Sequence, residues 1–305
     1  MWAKYWRYGS YVGAVVTSFT AGIYCEKWNI GKVNAATATT LPAMPDLPTP
    51  APQTDTKVLP SRTAEIMQYG YPGFDNLRTF EDFVLSYDHF LYRTAHWVVE
   101  HLRPDKMVYH PSIDRSKSNF HEDASIHPYF RSTNDDYKGS GYDRGHLAAA
   151  GNHRTSQTSI DQTFVLSNMS PQVGKGFNRD KWNELEKRVR KLARKNLNVF
   201  VCTGPLYLPR LESDGSMYIK YKVIGKNNVA VPTHFFKVIL IEFTKGQYDI
   251  EAYVMPNSAI PDSIELSTFL TPVNSIERSA GFHIFNKLPK SSLRYVNGKK
   301  AGSVW

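Results

Sequence analysis

Residues 235–255 read FFKVILIEFTKGQYDIEAYVM. Phe235 to Phe243 is a nearly unbroken apolar run that suits one long strand, and Tyr248 to Met255 is a second. Thr244-Lys245-Gly246-Gln247 separates them with turn residues, so the two runs are expected to pair as an antiparallel hairpin. Working outward, Val199 to Thr203 (VFVCT) is a β-branched run stopped by Gly204-Pro205. Tyr218 to Ile224 alternates, and Phe164-Val165-Leu166 is a short buried strand candidate. Phe80 to Leu102 suits extended or helical segments. Arg179 to Lys195 is the clearest helix, with Trp182, Leu185, Val189 and Leu192 on one face. Ser275 to Ala280 reads as a second, ended by Gly281. Helices interspersed with hairpin signals predict a mixed α/β fold on an antiparallel sheet, not a doubly wound one.

Composition narrows the function. The chain has 305 residues, 41% hydrophobic and 13% aromatic, which excludes a disordered chain. No second apolar run approaches the ~20 residues of a membrane span, which excludes a polytopic membrane protein. Two cysteines, Cys25 and Cys202, cannot build a disulfide scaffold and hardly a closed zinc site. The net charge of +9 favours an anionic partner. Residues 1–60 hold only +2 of it, so the basic character belongs to the rest of the chain.

Three regions are expected. Residues 1–34 carry Lys4 and Arg7, no acid before Glu26, and a Ser/Thr-diluted apolar stretch from Tyr11 to Tyr24. This fits a mitochondrial targeting segment better than a secretory signal, the alternative being a plain amphipathic helix. Residues 35–60 are rich in Ala, Thr and Pro and read as an extended linker. Residues 61–305 form the globular domain.

The chemistry concentrates between Tyr142 and Glu186. Tyr142-Asp143-Arg144-Gly145-His146 sets a fixed planar cation and a proton acceptor on either side of a glycine. Taken alone, Asp143 and Arg144 could be an ion pair and His146 a satisfied core histidine. Asn168 follows in Leu166-Ser167-Asn168-Met169-Ser170-Pro171-Gln172. Asn178 then stands where the helix begins, as a plain N-cap or as an oxygen ligand to a hard metal. Mg²⁺ keeps several waters and takes one or two protein oxygens, so a single amide ligand is chemically possible for it. Glu186 lies about 12 Å of helical rise further on, and could orient water near the ion or pair with Arg190.

Asp143-Arg144-Gly145-His146, Leu166-Ser167-Asn168 with Pro171-Gln172, and Asn178 with Trp182 and Leu185-Glu186 resemble the DNA/RNA non-specific endonucleases, the mitochondrial members especially. The likeness runs from about residue 65 to about residue 287. It implies a ββα-metal nuclease fold, a central antiparallel sheet flanked by helices. It implies His146 as general base, Asn178 as direct Mg²⁺ ligand with Mn²⁺ as a substitute, and Arg144 as a phosphate contact. Glu186 becomes an acid that orients water on the metal, and Asn168 a site residue holding the His146 loop. Asp143, Arg154 and Arg179 are further nucleic-acid contacts. Arg179 stands where the family usually has Gln, and an upstream arginine of bacterial relatives has Arg115 and Lys117 as its nearest candidates. The resemblance also implies DNA and RNA as substrates, a homodimer, and the mitochondrial intermembrane space. It further implies DNA degradation in apoptosis or turnover of mitochondrial DNA.

Around the motifs, Lys187, Arg188, Arg190, Lys191, Arg194 and Lys195 load the helix, either as a solvated face or as a surface that tracks a phosphate backbone. A histidine base would protonate near its unperturbed pKa of about 6.5, giving an acid limb there. Two rivals remain at this level. One is a nucleic-acid-binding module without catalysis. The other is a secreted nuclease, which the sequon Asn168-Met169-Ser170 weakly opposes because a glycan there would foul the site.

Overall fold

The hairpin forms as read. Strand His234–Thr244 pairs antiparallel with Gln247–Pro256, in register from His234↔Pro256 through Phe235↔Met255 to Glu242↔Tyr248. In this computed structural model residues 60–108 and 110–301 are described. The targeting and linker readings for residues 1–60 lie, save for Pro60, outside them, and so does Cys25.

The strands in chain order are β1 Leu77–Thr79, β2 Phe83–Tyr87, β3 Ala95–Leu102, β4 Asp143–His146, β5 Met169–Gln172, β6 Asn198–Leu206, β7 Arg210–Leu211, β8 Met217–Tyr218, β9 Val223–Ile224, β10 Val229–Ala230, β11 His234–Thr244, β12 Gln247–Pro256, β13 Leu293–Val296 and β14 Lys299–Lys300. The helices are α1 Arg62–Ile66, α2 Asn134–Tyr137, α3 Gln157–Gln162, α4 Trp182–Lys195 and α5 Val273–Ala280. Eight strands form one sheet in the order β1-β2-β3-β6-β11-β12-β13-β14, antiparallel except where β13 runs parallel to β12. β4 and β5 form a separate two-stranded ladder.

The central strand is covered on both faces, which is why it reads as a continuous apolar run rather than an alternation. Phe235, Ile239 and Ile241 of β11 join one core with Trp182, Leu185, Val189 and Ala193 of α4. Phe236, Val238 and Leu240 join the other, with Ile66 of α1 and Val273 and Ile276 of α5. Lys237 shares the odd-numbered register of the α4-facing residues and is 1% exposed. α5 ends at Gly281, which takes the left-handed conformation the sequence predicts, with φ 81°.

Four local expectations are corrected. Phe164-Val165-Leu166 is not a strand: Val165 makes one parallel bridge to His121, and Leu166–Asn168 is a 3₁₀ turn. The backbone N–H groups of Thr163, Phe164 and Val165 are spent on turn bonds to Ile160, Asp161 and Gln162. β6 runs through Gly204-Pro205 to Leu206, because past Thr203 only β11 flanks it and proline is tolerated at such an edge. Tyr218 to Ile224 is not one strand, since its ends belong to the separate ladders β7–β8 and β9–β10. In α4 the stripe is completed by buried Ala193, while Leu192 is only partly buried.

Candidate active site

The ladder β4–β5 presents one wall of the site. Its register sets Asp143 opposite Gln172, Gly145 opposite Ser170 and His146 opposite Met169. Gly145 makes room for the buried Gln172 side chain, since a Cβ there would lie 2.1 Å from its amide carbon. Behind this strand pair, Asn168 is fully buried and acts as a clamp. Its Oδ1 accepts from Ala148 N (2.9 Å), and its Nδ2 donates to the carbonyls of Ala148 (3.0 Å) and Thr163 (2.8 Å). Asn168 therefore holds the segment after His146, and it stands behind the cleft rather than among the residues that line it. With both amide hydrogens spent in the interior, it has no room for a glycan.

The other wall is the approach to α4. Gly176, at φ 86°, bends the chain, and a Cβ there would meet Ala259 Cα at 2.8 Å. A wide turn follows, with Asn178 N–H bonding to Val173 O (2.9 Å) and Trp182 N–H to Phe177 O, each spanning five residues. Asn178 is thus not the N-cap of the helix. It sits inside the wide turn that leads into α4, with its side chain available for something else. Two strands followed by this helix form the ββα unit that the resemblance implies.

Between the walls opens a cleft of about 690 Å³. His146, Arg144, Asn178, Glu186, Asp143 and Arg179 all line it, and so does Arg115. His146 is 8% exposed, with its ring edge-on to Phe164 at 4.7 Å between centroids and tilted to Phe120 at 5.7 Å. Its Nε2 is buried without a hydrogen-bond partner. Burial first, then the charges of Arg115 and His153, push its pKa down to about 3. The imidazole is therefore neutral and able to accept a proton throughout the neutral range.

Arg144 Nη1 donates to Asn134 Oδ1 at 2.6 Å, and its guanidinium lies 4.2 Å from the centre of the Phe120 ring. Asp143 and Arg179 form an ion pair at the cleft. Arg179 binds Asp143 through Nε (2.8 Å) and Nη2 (2.6 Å), which holds the Asp143 carboxyl below its usual range. Asp143 Oδ2 also accepts from Asn178 Nδ2 at 3.0 Å. The amide nitrogen of Asn178 is thus occupied, and its Oδ1 takes no hydrogen bond among the described residues. Gly174 makes room, since a Cβ there would lie 2.9 Å from the Asp143 carboxylate. Glu186 has a side chain 16% exposed and 3.8 Å from Arg190, and burial raises its pKa against the opposing charges of Lys237 and Arg190.

A second cavity of about 280 Å³ adjoins the first and shares Arg115, Gly151, Asn183 and Glu186 with it. Arg154, Arg190 and Arg194 line it. The basic helix is therefore divided rather than uniform. Arg190 and Arg194 face this cavity, Arg188 binds Glu251 (Nε to Oε2, 2.6 Å), and Lys187, Lys191 and Lys195 are exposed. Of the two upstream candidates, Arg115 reaches the cleft, 5.8 Å from the Phe164 ring centre, and Lys117 does not.

Residues 62–291 match the family of DNA/RNA non-specific endonucleases. The chain belongs to that family. This nuclease is 59% identical over 247 residues to "Endonuclease G, mitochondrial" of Caenorhabditis elegans, covering 81% of this chain and 80% of that protein. To the human protein of the same name it is 54% identical over 217 residues, covering 71% and 72%. Among solved structures, a chain of a crystal structure of an EndoG/EndoGI complex superposes with a TM-score of 0.78 at 55% identity, covering 79% of this chain and 98% of that one. The nuclease acts on nucleic acid, and its family is metal-dependent. The relatives named mitochondrial support a mitochondrial location for it.

The residues fit a hard divalent ion. Asn178 Oδ1 is an uncommitted oxygen, its amide is oriented by Asp143, and the Glu186 carboxylate lines the same cleft. Among the described residues no group of three or more His, Cys, Asp or Glu side chains is gathered to hold a metal. The oxygens of Asn178 and Glu186 are donors of the kind hard divalent ions take, unlike the nitrogen and sulfur donors of zinc sites. The sequence reading did not single out Phe120 or Gly174, since a lone aromatic and a lone glycine carry no pattern of their own.

Proposed function

We propose that the chain hydrolyses phosphodiester bonds of DNA and RNA with His146 as general base and one Mg²⁺, replaceable by Mn²⁺, on Asn178. The observation that carries this is the pairing in one cleft of a buried, unpartnered His146 Nε2 with an Asn178 carbonyl left open by Asp143. His146, neutral at working pH, takes the proton of the attacking water. Arg144 and Arg115 supply positive charge where the transition state accumulates negative charge. Glu186 orients water beside Asn178. When bound, the ion neutralises charge on the phosphoryl oxygen and on the leaving 3′ oxygen. Arg154, Arg190 and Arg194 extend the cationic surface along the phosphate backbone. Contacts of this kind position a substrate without reading its bases, which accords with cleavage that depends little on sequence.

In the same reading the enzyme works as a homodimer in the mitochondrial intermembrane space and degrades DNA in apoptosis or mitochondrial DNA turnover, as its family likeness suggests. The fully buried Asn168 amide disfavours the glycosylated, secreted alternative.

The test separates base from ligand. His146→Ala should lower the cleavage rate by about 10²–10⁴-fold and leave Mn²⁺ affinity intact. Asn178→Ala should weaken Mn²⁺ binding in calorimetric titration, with excess metal restoring part of the rate. Loss of metal binding in His146→Ala together with its retention in Asn178→Ala reverses the two assignments.

A further inference from the structure

Glu100 is fully buried in the sheet strand β3, where a carboxylate needs a reason to be. Its Oε1 accepts from Asn152 Nδ2 and from His153 Nε2, each at 2.9 Å. Its Oε2 is buried without a partner. Because the Asn152 amide nitrogen is turned inward to Glu100, its Oδ1 faces outward and accepts from Arg190 Nη1 at 3.3 Å. The same Nη1 is 3.8 Å from Glu186 Oε2, at the edge of the cleft. A line of polar contacts thus leads from the sheet interior through the turn at Asn152 to the carboxylate of Glu186.

Two further contacts fix this line. The Arg190 guanidinium packs so closely on the turn that a Cβ at Gly151 would lie 2.9 Å from it. Beneath α4, Lys237 donates to Thr203 Oγ1 at 2.6 Å, stands 4.9 Å from the Trp182 ring centre, and acts by charge on both Glu100 and Glu186. Two carboxylates and two cations therefore balance between the sheet interior and the edge of the cleft. Such a cluster is seldom favourable for stability compared with apolar packing. Precise placement of a functional group is what it can supply.

We propose that Glu100 is a positioning residue for hydrolysis, holding the Arg190 guanidinium through Asn152 and the Glu186 carboxylate through Arg190. This rests on the reading of Glu186 as a residue of the reaction.

The experiment is a mutant cycle on the full chain with Mg²⁺ and a duplex of fixed length, read as kcat, KM and melting temperature. Asn152→Ala should lower kcat about 10-fold and leave KM nearly unchanged. Its effect should vanish in an Arg190→Ala background, because both changes cut the same line. Losses that multiply, or full kcat in folded Asn152→Ala, overturn the proposal. If Asn152→Ala does not fold, Glu100→Gln takes its place in the cycle with Arg190→Ala. Glu186→Ala is measured alongside. Wild-type kcat in that variant refutes the reading of Glu186, whereas an inactive Glu186→Ala beside an uncoupled cycle refutes only the role of Glu100.

Discussion

Asn178 Nδ2 donates to Asp143 Oδ2 at 3.0 Å, so a carboxylate on the strand decides which way an amide on the helix side faces. Arg179 closes on the same carboxylate from outside. Three residues drawn from two separate motifs in the sequence act here as one unit. Its product is an amide oxygen aimed at the cleft.

Asp143→Ala should therefore behave as a metal-binding variant, although Asp143 holds no metal in this reading. Without the acceptor the amide is free to flip, and Mn²⁺ affinity should fall about 10–100-fold, the usual cost of removing a partner that orients a ligand. Calorimetric titration checks the affinity, and rate against Mg²⁺ concentration should shift to higher metal with kcat largely recovered. Unchanged affinity would mean that packing alone orients the amide.

Gly176→Ala should destabilise the site from the backbone. The residue stands at φ 86°, and the added methyl would meet Ala259 Cα at 2.8 Å. Strain of this kind costs on the order of 1–3 kcal/mol. Urea unfolding should show that loss, and Asn178, two residues on, should lose metal affinity with it.

Much of this arrangement was legible in the sequence. The hairpin 235–255 was readable because β11 is buried on both faces and so keeps an apolar run, and α4 because one face alone is buried. His146, Arg144, Asn178 and Glu186 were picked out by their motifs and by the family resemblance, and they do line one cleft. What escaped depends on partners distant in the chain. Asp143 reads as a partner of Arg144 or of nucleic acid until Arg179 and Asn178 close on it, and the Ala148 and Thr163 contacts of Asn168 are not visible in its motif. Phe164 to Leu166 looked like a strand because apolar content cannot tell a buried turn from a buried strand. Glu100 and Lys237 lie in apolar strands, where a single charge carries no signal of its neighbour.

Arg115→Ala should lose activity and Lys117→Ala should not. Arg115 lines both cavities and acts by charge on His146 and Glu186, while Lys117, two residues on, is exposed and lines neither. Removing a donor that faces developing charge costs roughly 10²–10³-fold in kcat where the group is well placed, and less for an exposed side chain. Cleavage rates of the two variants on one duplex decide it. Equal losses would point to general attraction of the substrate rather than to a site contact.

Acid should unfold this protein before it protonates the base. Burial pushes His146 down to about 3 and His101 down to about 4, the latter packed between Asn198, at 2.7 Å, and Arg62, at 2.9 Å. In the unfolded chain both titrate near 6.5. Between about pH 4 and 6.5 the unfolded state thus binds more protons than the folded one. Stability must then fall as pH drops through that window, by up to about 1.4 kcal/mol per pH unit for each histidine. Glu186, whose pKa is raised, works in the opposite sense, because it binds its proton more readily when folded. His89 and His234, also lowered by burial, and the lowered carboxyls of Asp82 and Asp143 add to the histidine side, which leaves a net loss. Urea unfolding at pH 7.0 and 5.0 should show it, and His101→Gln should flatten the slope. For activity the same shift means that kcat/KM per folded molecule has no acid limb near 6.5 from His146. A rate that halves near pH 6.5 while the fold remains intact would count against a buried, low-pKa imidazole at His146 as what sets the pH response.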